Sequence, residues 1–416
     1  MTTIIYWFRN DLRLTDNPAL VEACLQADYL LPIYIHLPQA QATHDLGFPR
    51  EGAHRQTFLR ESLDDLNLQL RALGSDLLEY EGEPAEVLAV LTQDLGADVI
   101  YCERIEAPEE MQQIQKIHER GISLKEFWQS SMLAPESLPF PVEDLPDIFT
   151  QFRKDIERAG LKFSAPIARP LSMPALPGLV SSLPTRDGTE ATSSAHMFLG
   201  GERNALEHLR QYLERRLPDG YKETRNQLIG KDYSSKFSPY LALGCISARM
   251  IADELASYEQ RYGANDGTYW LWFELLWRDY FRFLHFKYGK RLYQERGLSK
   301  APIVRSDAQQ FERWRTGNTG ELLVDAGMRE LLKSGYLSNR MRQIVASYWI
   351  YDLNGAWHLG AAWFESQLID YDVYSNQGNW LYIAGRGTDP RGGRRFNIAK
   401  QTQDHDPQGE YQRLWL

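Results

Sequence analysis

Hydrophobic positions recur with a strand-like spacing in the first third of the chain. Short runs rich in β-branched and aromatic residues alternate there with amphipathic stretches of helical period, such as 52–73 and 84–95. Alternating strands and helices predict right-handed crossovers and a mostly parallel sheet, with a ligand site at its carboxyl edge. The runs that we predict as strands are 4–7, 30–35, 76–79, 98–101 and 123–127.

From about Gly200 onward the pattern changes to a helical period in nearly every segment, with breaks at Gly, Pro and Asn. The residues in between are rich in Pro, Ser, Leu and Gly, a composition typical of a connector. The sequence therefore predicts an α/β domain with a parallel sheet at 1–130, an interdomain linker at 131–195 and an all-helical domain at 196–416.

Composition and net charge limit the kinds of site and the classes of protein that this chain can represent. The chain has 416 residues, enough for two cores, and its 11 Trp, 22 Tyr and 17 Phe indicate either an aromatic core or a site that stacks planar ligands. Three separated cysteines signal neither a disulfide framework nor a cysteine zinc site, and we predict no metal site. A net charge of −10 argues against a chain coated in nucleic acid but leaves room for a local basic patch. No apolar stretch is long enough to cross a membrane and no leader is recognisable, so we expect a cytoplasmic protein.

The segment 233–240 (YSSKFSPY) places three serine hydroxyls and one lysine just before a predicted helix. Hydroxyls and free backbone N–H groups at a helix start form an anion site suited to a pyrophosphate. The alternative is an ordinary serine-rich helix cap, and the segment alone favours that alternative.

Glu274 lies inside an aromatic stripe formed by Trp270, Trp277 and Phe281 at helical spacing. Burying a carboxylate without a partner is costly, so this group is either a paired structural residue or a functional group that faces a cavity. The sequence leaves both readings open.

Polar residues cluster at three later places, 336–343, 370–380 and 386–400. Asn339, Arg342 and Gln343 share one helix face, and Arg342 is a plausible buried partner for Asp370. The loop 386–400 holds five cations and one carboxylate, which fits phosphate contacts, although surface loops with this bias are also common.

Taken together and in this order, these segments resemble the photolyase and cryptochrome family, most strongly its cryptochrome DASH branch. The resemblance also rests on 7–14 (WFRNDLRL), 221–226 (YKETRN), 273–280 (FELLWRDY) and the ending 396–411. It covers nearly the whole chain in collinear order.

The resemblance implies a folded-back FAD in the helical domain. Arg342 would pair with Asp370, Asp370 and Asp372 would lie at the flavin and adenine, and Asn376 would face flavin N5. The residues that would line the phosphates are Tyr221, Ser234, Ser235, Lys236, Phe237 and Ser238.

The same resemblance implies a monomeric deoxyribodipyrimidine photo-lyase, in which excited reduced FAD donates an electron to a flipped-out cyclobutane pyrimidine dimer. The dimer would be contacted by Glu274, Asn339 and Arg340, with Trp277 as a stacking wall. The residues expected on DNA phosphates are Arg225, Arg391, Arg394 and Arg395. The alternative is a flavin-based blue-light photoreceptor that signals without repair.

Two positions depart from ordinary dimer photolyases. Gln343 stands where they usually carry Met, and Tyr382 where they usually carry Trp, as is typical of the DASH branch. A more polar cavity with a smaller stacking surface offsets less of the cost of unpairing a duplex base. We therefore expect repair mainly in single-stranded DNA.

Electron supply and light harvesting give further expectations. Trp380 and Trp357 match the inner two members of the family's tryptophan chain, whereas Val304 stands at the outer position. Trp314 and Tyr348 are oxidisable groups that could replace the missing one. The implied antenna is methenyltetrahydrofolate, with Glu109 as its candidate ligand, although an exposed glutamate at a helix start explains that residue equally well.

Overall fold

The computed structural model describes residues 1–38, 47–178, 182–186 and 197–416. The first part contains one sheet of five parallel strands in the order β3-β2-β1-β4-β5. Both faces of the central strand are buried, which explains its unbroken run of apolar residues. The strands are β1 Thr3–Phe8, β2 Tyr29–His36, β3 Leu78–Glu81, β4 Val99–Glu103 and β5 Leu124–Phe127.

Strand β3 begins two residues later than the sequence predicts. The backbone N–H of Leu77 donates to Asn67 Oδ1 at 2.9 Å, so the ladder with β2 starts only at Leu78, opposite Ile33. The Asn67 side chain, on a helix, thus binds the Leu77 N–H, which a strand beginning at 76 would need for its ladder. The crossover helices are α1 Pro18–Gln26, α2 Ala53–Ala72, α3 Pro84–Leu95 and α4 Pro108–Glu119.

The segment predicted as a linker contains a helix, α5 Phe149–Ala159. Its buried residues Phe149, Phe152 and Ile156 recur at helical spacing and pack into the main core of the chain. This part of the segment is therefore more than a surface connector.

In the second part, the described residues from 197 onward, the regular elements are all helices. Its helices are α6 Glu202–Glu214, α7 Tyr221–Thr224, α8 Ser238–Ala242, α9 Ala248–Tyr262, α10 Asp266–Tyr288, α11 Ala308–Arg315, α12 Leu322–Ser334, α13 Asn339–Ser347, α14 Trp357–Gln367, α15 Val373–Ile383, α16 Ile398–His405 and α17 Glu410–Trp415. A π-helical turn, Tyr348–Asp352, continues α13. The longest helix, α10, begins with a capping box between Asn265 and Thr268.

Buried polar contacts join the two parts. Asp279 of α10 accepts the backbone N–H groups of Met132 and Leu133 at 3.0 and 2.8 Å. Asp16, fully buried after β1, pairs with Arg249 of α9 at 2.9 Å. The helical part is thereby fixed to the sheet by specific hydrogen bonds as well as by apolar packing.

Of the helices described, none combines the length and apolar character that crossing a membrane requires.

Candidate cofactor and substrate site

Two adjoining cavities open in the helical part, and we call them the inner and the outer cavity. Their volumes are about 190 and 440 Å³, and the outer cavity by itself lies in the range of sites for small organic ligands. The residues that line both are Ser238, Tyr336, Asn339, Arg342, Gln343, Asp370, Asp372, Ser375 and Asn379.

The serine-rich loop borders the outer cavity. All of its residues from Ser234 to Ser238 line this cavity, as does Tyr221. Lys236 has a left-handed backbone with φ 52°, and its ammonium lies 3.7 Å from the centre of the Tyr233 ring. Burial lowers the pKa of Lys236 to about 8. Because α8 has only five residues, an anion bound at this loop would be held by the hydroxyls and Lys236 more than by a helix dipole.

The predicted pair of Arg342 and Asp370 is present. Arg342 Nη2 donates to Asp370 Oδ2 at 2.7 Å, and its Nε donates to the Leu337 carbonyl at 2.9 Å. Asp370 is almost fully buried, and its Oδ1 has no hydrogen-bond partner among the described residues. A buried acceptor at the wall of a cavity calls for a donor on a ligand. FAD, with its ribityl hydroxyls and ring N–H, offers such donors.

Helix α15 supplies one side of the inner cavity. Asp372 caps the start of α15 by accepting the Ser375 N–H at 2.8 Å. The side-chain amide of Asn376 donates to the Ala361 carbonyl at 3.1 Å. Ser375 and Asn379 also line the cavity, although the sequence analysis did not single them out. Their spacing of three and seven from Asp372 on one helix face could have revealed them.

Glu274 lies in the wall of the outer cavity and is paired. Its carboxylate accepts a hydrogen bond from Arg225, whose guanidinium also lies 4.5 Å from the centre of the Trp270 ring. Burial raises the pKa of Glu274 above its usual value, and Arg225 opposes this shift. A DNA phosphate, which the sequence analysis predicts as the partner of Arg225, would therefore compete with Glu274 for the same guanidinium.

Aromatic rings form the rest of the outer wall. Trp277 stacks on Phe149 with the ring centres 3.6 Å apart, and Tyr382 meets Trp277 edge-on at 5.6 Å. Arg394 donates to the Tyr382 hydroxyl at 2.7 Å and pairs with the buried Asp389. These contacts place Trp277, Tyr382 and Arg394 together at the outer cavity, as expected of a stacking wall next to a cation.

Three predicted arginines lie outside the lining of these two cavities. Arg340 donates to Asn226 at 3.1 Å, away from the face shared by Asn339 and Gln343, because adjacent helical residues point about 100° apart. Arg395 pairs with Asp352, and Arg391 is exposed. The structure therefore does not bring Arg340 to the predicted dimer-contacting group.

A third cavity, of about 610 Å³, lies between the sheet part and the helical part, and we call it the interdomain cavity. Glu109 lines it and pairs with Arg50 at 2.7 Å, which in turn binds Glu365. Trp357 and Asn376 also line it, so Asn376 stands between the inner and the interdomain cavity. Glu109 thus has a structural partner and also faces a space large enough for an antenna pigment.

The tryptophans predicted to carry electrons lie in different surroundings. Trp380 lines the inner cavity, and its ring meets Trp314 edge-on at 6.3 Å. Trp314 stacks on Trp349 at 5.2 Å, and both of these rings are fully buried. Trp357 donates to the Glu295 carbonyl at 2.9 Å.

Val304→Trp is expected to speed light-driven flavin reduction by an external reductant several-fold. The backbone N–H of Ala356, next to Trp357, donates to Ser306, so the loop that carries Val304 packs beside Trp357. Trp314→Phe should have little effect, because water does not reach that indole to stabilise a positive charge. Steady illumination with absorbance detection measures both rates. An unchanged rate in Trp357→Phe would reject the route altogether.

Comparisons with known proteins agree with this geometry. Residues 4–174 match the family model for DNA photolyase, and residues 270–416 match the model for the FAD binding domain of DNA photolyase. A cryptochrome DASH of Gloeobacter violaceus is 42% identical over 100% of this chain and 85% of its own length. The chain belongs to the photolyase/cryptochrome family. Within it, the similarity is to the cryptochrome DASH branch.

Two further relatives support the assignment to this branch. The Xenopus laevis cryptochrome DASH is 44% identical over 99% of this chain and 82% of its own length. The solved structure of a Synechocystis cryptochrome is 43% identical, covers 100% of this chain and 89% of its own, and superposes with a TM-score of 0.95. FAD is the cofactor of this family, and the unpaired Asp370 oxygen and the serine-rich loop fit it.

Proposed function

We propose that the chain is a deoxyribodipyrimidine photo-lyase that uses blue light to split cyclobutane pyrimidine dimers, mainly in single-stranded DNA. One observation carries the proposal. The outer cavity is lined both by Asp372, assigned to the cofactor, and by Glu274 and Asn339, assigned to the dimer. A flipped-out dimer bound in this cavity would lie directly beside the cofactor.

The chain's own residues bind and orient the dimer in this proposal. When bound and reduced, FAD supplies the electron that light transfers to the dimer and that returns after its ring has opened. The amides of Asn339 and Gln343 offer both donors and acceptors to the pyrimidine edges, and the Glu274 carboxylate accepts a pyrimidine N–H. Trp277 and Tyr382 bound the apolar side.

The preference for single strands follows from Gln343 and Tyr382 in the lining of the outer cavity. Gln343 makes the cavity more polar, and the Tyr382 hydroxyl is held by Arg394, so its smaller ring stays edge-on to Trp277. Extracting a base pair from a duplex costs a few kcal/mol, which this wall offsets poorly, whereas a single strand has little of that cost.

The proposal is tested with reduced protein and oligonucleotides that carry one dimer, either single-stranded or in a duplex. After blue illumination the repaired lesions are counted. We expect several-fold more repair in the single strand. Equal repair of both substrates would contradict the cavity argument, and no repair of either by FAD-loaded protein would favour a photoreceptor.

Glu274→Gln is expected to lower dimer affinity by about tenfold and repair yield with it, because a charge-assisted hydrogen bond is lost. Flavin content and folding should not change. The matched control is Glu157→Gln, which breaks a similarly exposed pair with Arg153 away from both cavities. Binding of dimer-bearing and undamaged strands measures the effect. Equal losses in the two variants would assign Glu274 a structural role.

A further inference from the structure

A buried arginine links Asp372 to the helix on the opposite side of the cavities. Arg282 of α10 donates its Nη2 to Asp372 Oδ2 at 2.5 Å, and its guanidinium lies 4.7 Å from the centre of the Tyr374 ring. The two side chains of the pair are 3% and 12% exposed. Asp372 faces both cavities, whereas Arg282 lies behind it and lines neither.

The electrostatics of Asp372 depend on this partner. Burial alone pushes the pKa of its carboxyl upward, but Arg282, Arg278 and the cap of Ser375 bring the pKa well below its usual range. Arg278, one turn before Arg282, does not bind Asp372 directly. It donates instead to the carbonyls of Ser130 and Leu241.

Other ionisable groups surround the pair, and any test of pH dependence must account for them. Glu103, at the end of β4, faces the same water-sized space as Arg282 and Asp372, and burial together with Asp11 raises its pKa to about 8. Burial lowers the pKa of His285 to about 4. The groups that face Asp372 are Arg278, Arg282 and His285 from α10, Glu103 from the sheet, Arg13 from the loop after β1, Tyr293 from the turn after α10, and Tyr374 from its own helix.

We propose that Arg282 is a positioning residue that keeps the Asp372 carboxylate ionised and fixed at the cofactor site, so that bound flavin has the same environment across the neutral pH range. Asp372 then presents one constant charge and one orientation to the ligand. Without Arg282, burial of the carboxyl would be opposed by the more distant Arg278 and by the Ser375 cap without any ion pair, and Asp372 would take up a proton near neutral pH. This inference concerns cofactor binding and is independent of the proposed repair activity.

The competing explanation is that Arg282 merely joins the two parts of the chain. Its Nε also donates to Ser130 at 3.3 Å, so it does contribute to that junction. Arg249 provides a matched control, because it forms a comparably buried pair with Asp16 at the same junction but lines neither flavin cavity. A purely structural role predicts similar behaviour for the two arginines.

The experiment follows the visible absorption of the FAD-loaded protein between about pH 5 and 7.5, a window that lies between the pKa values of His285 and Glu103. Asp279 faces Arg282 from α10, and burial raises its pKa to about 6, inside this window, but it lines neither flavin cavity. Only a spectral change that Asp372→Asn removes is therefore assigned to Asp372. The parent, Arg282→Lys and Arg249→Met should show pH-independent spectra. Arg282→Met and Arg282→Gln should each show a one-proton spectral change. Adding Asp372→Asn to either should remove that change, since the titrating carboxyl is gone.

A pH-independent spectrum in flavin-loaded Arg282→Met and Arg282→Gln would overturn the proposal, and so would the same titration in Arg249→Met. If neither Arg282 variant retains flavin, the double variant Arg282→Gln with Asp372→Asn decides the question. Recovered flavin binding in the double variant supports the proposal, because the uncompensated carboxylate was the defect. Continued loss, with Arg249→Met loaded normally, assigns Arg282 to structure alone.

Discussion

Asp370→Ala is expected to yield a protein without bound flavin. The change leaves the Arg342 guanidinium largely buried and without its carboxylate partner, which costs about 3–5 kcal/mol, and it removes the unpaired Asp370 Oδ1 from the cavity wall. Flavin absorbance after gel filtration and urea unfolding followed by circular dichroism measure the two effects. Full flavin occupancy at parental stability would refute the assignment of this pair.

Asp232→Ala is the control for this change, because it breaks an exposed pair with Arg215 just before the serine-rich loop. An exposed pair contributes only about 0.2–1 kcal/mol, so this variant should keep its flavin and nearly all of its stability. Asp370→Asn separates charge from shape. It should fold better than the alanine variant but still bind flavin weakly, since Arg342 then lacks a counter-charge.

Gly244→Ala is expected to destabilise the junction between the sheet part and the helical part by about 2–5 kcal/mol. Gly244 has φ 67°, and a Cβ there would overlap the backbone carbonyl of Asn10, which cannot move aside as a side chain can. The Gly244 carbonyl also accepts a hydrogen bond from the buried Arg13 at 3.0 Å. Urea unfolding with flavin release as a second signal measures the loss.

Gly160→Ala is the matched control for this substitution. Gly160 has φ 60° at the end of α5, but a Cβ there meets no other atom within 4 Å. It should therefore show only the cost of a left-handed alanine, about 1–2 kcal/mol. Equal losses in Gly244→Ala and Gly160→Ala would mean that the contact with Asn10 relaxes and is not a constraint on the junction.

The local elements of this protein follow from sequence periodicity. Strand β1 consists entirely of buried residues and reads as a continuous apolar run, as a central parallel strand requires. The hydroxyl of Ser338 accepts the Met341 N–H and so caps the start of α13, as a serine directly before a helical segment is expected to do. Apolar runs and helix caps can be predicted from the sequence because the residues that form them lie within a few positions of one another.

Part of the candidate site was also predictable. The face shared by Asn339, Arg342 and Gln343 lines both cavities, and the pair of Arg342 with Asp370 formed as the polar pattern suggested. The family resemblance, confirmed by the comparisons, named FAD. In contrast, Arg225 was assigned to a phosphate, and only the structure shows that it binds Glu274, 49 positions away.

Local spacing and collinear motifs were enough to predict the strand and helix pattern, the polar clusters and the family. Apart from the pair of Arg342 with Asp370, the partners of the buried charges became known only from the tertiary structure. Arg282 pairs with Asp372, which lies 90 positions later in the chain. The ring of Trp314 on α11 packs against that of Trp380 on α15. A buried charge takes whichever partner the packing brings within hydrogen-bond distance, and that choice depends on helix orientation and loop closure, which no short-range pattern encodes.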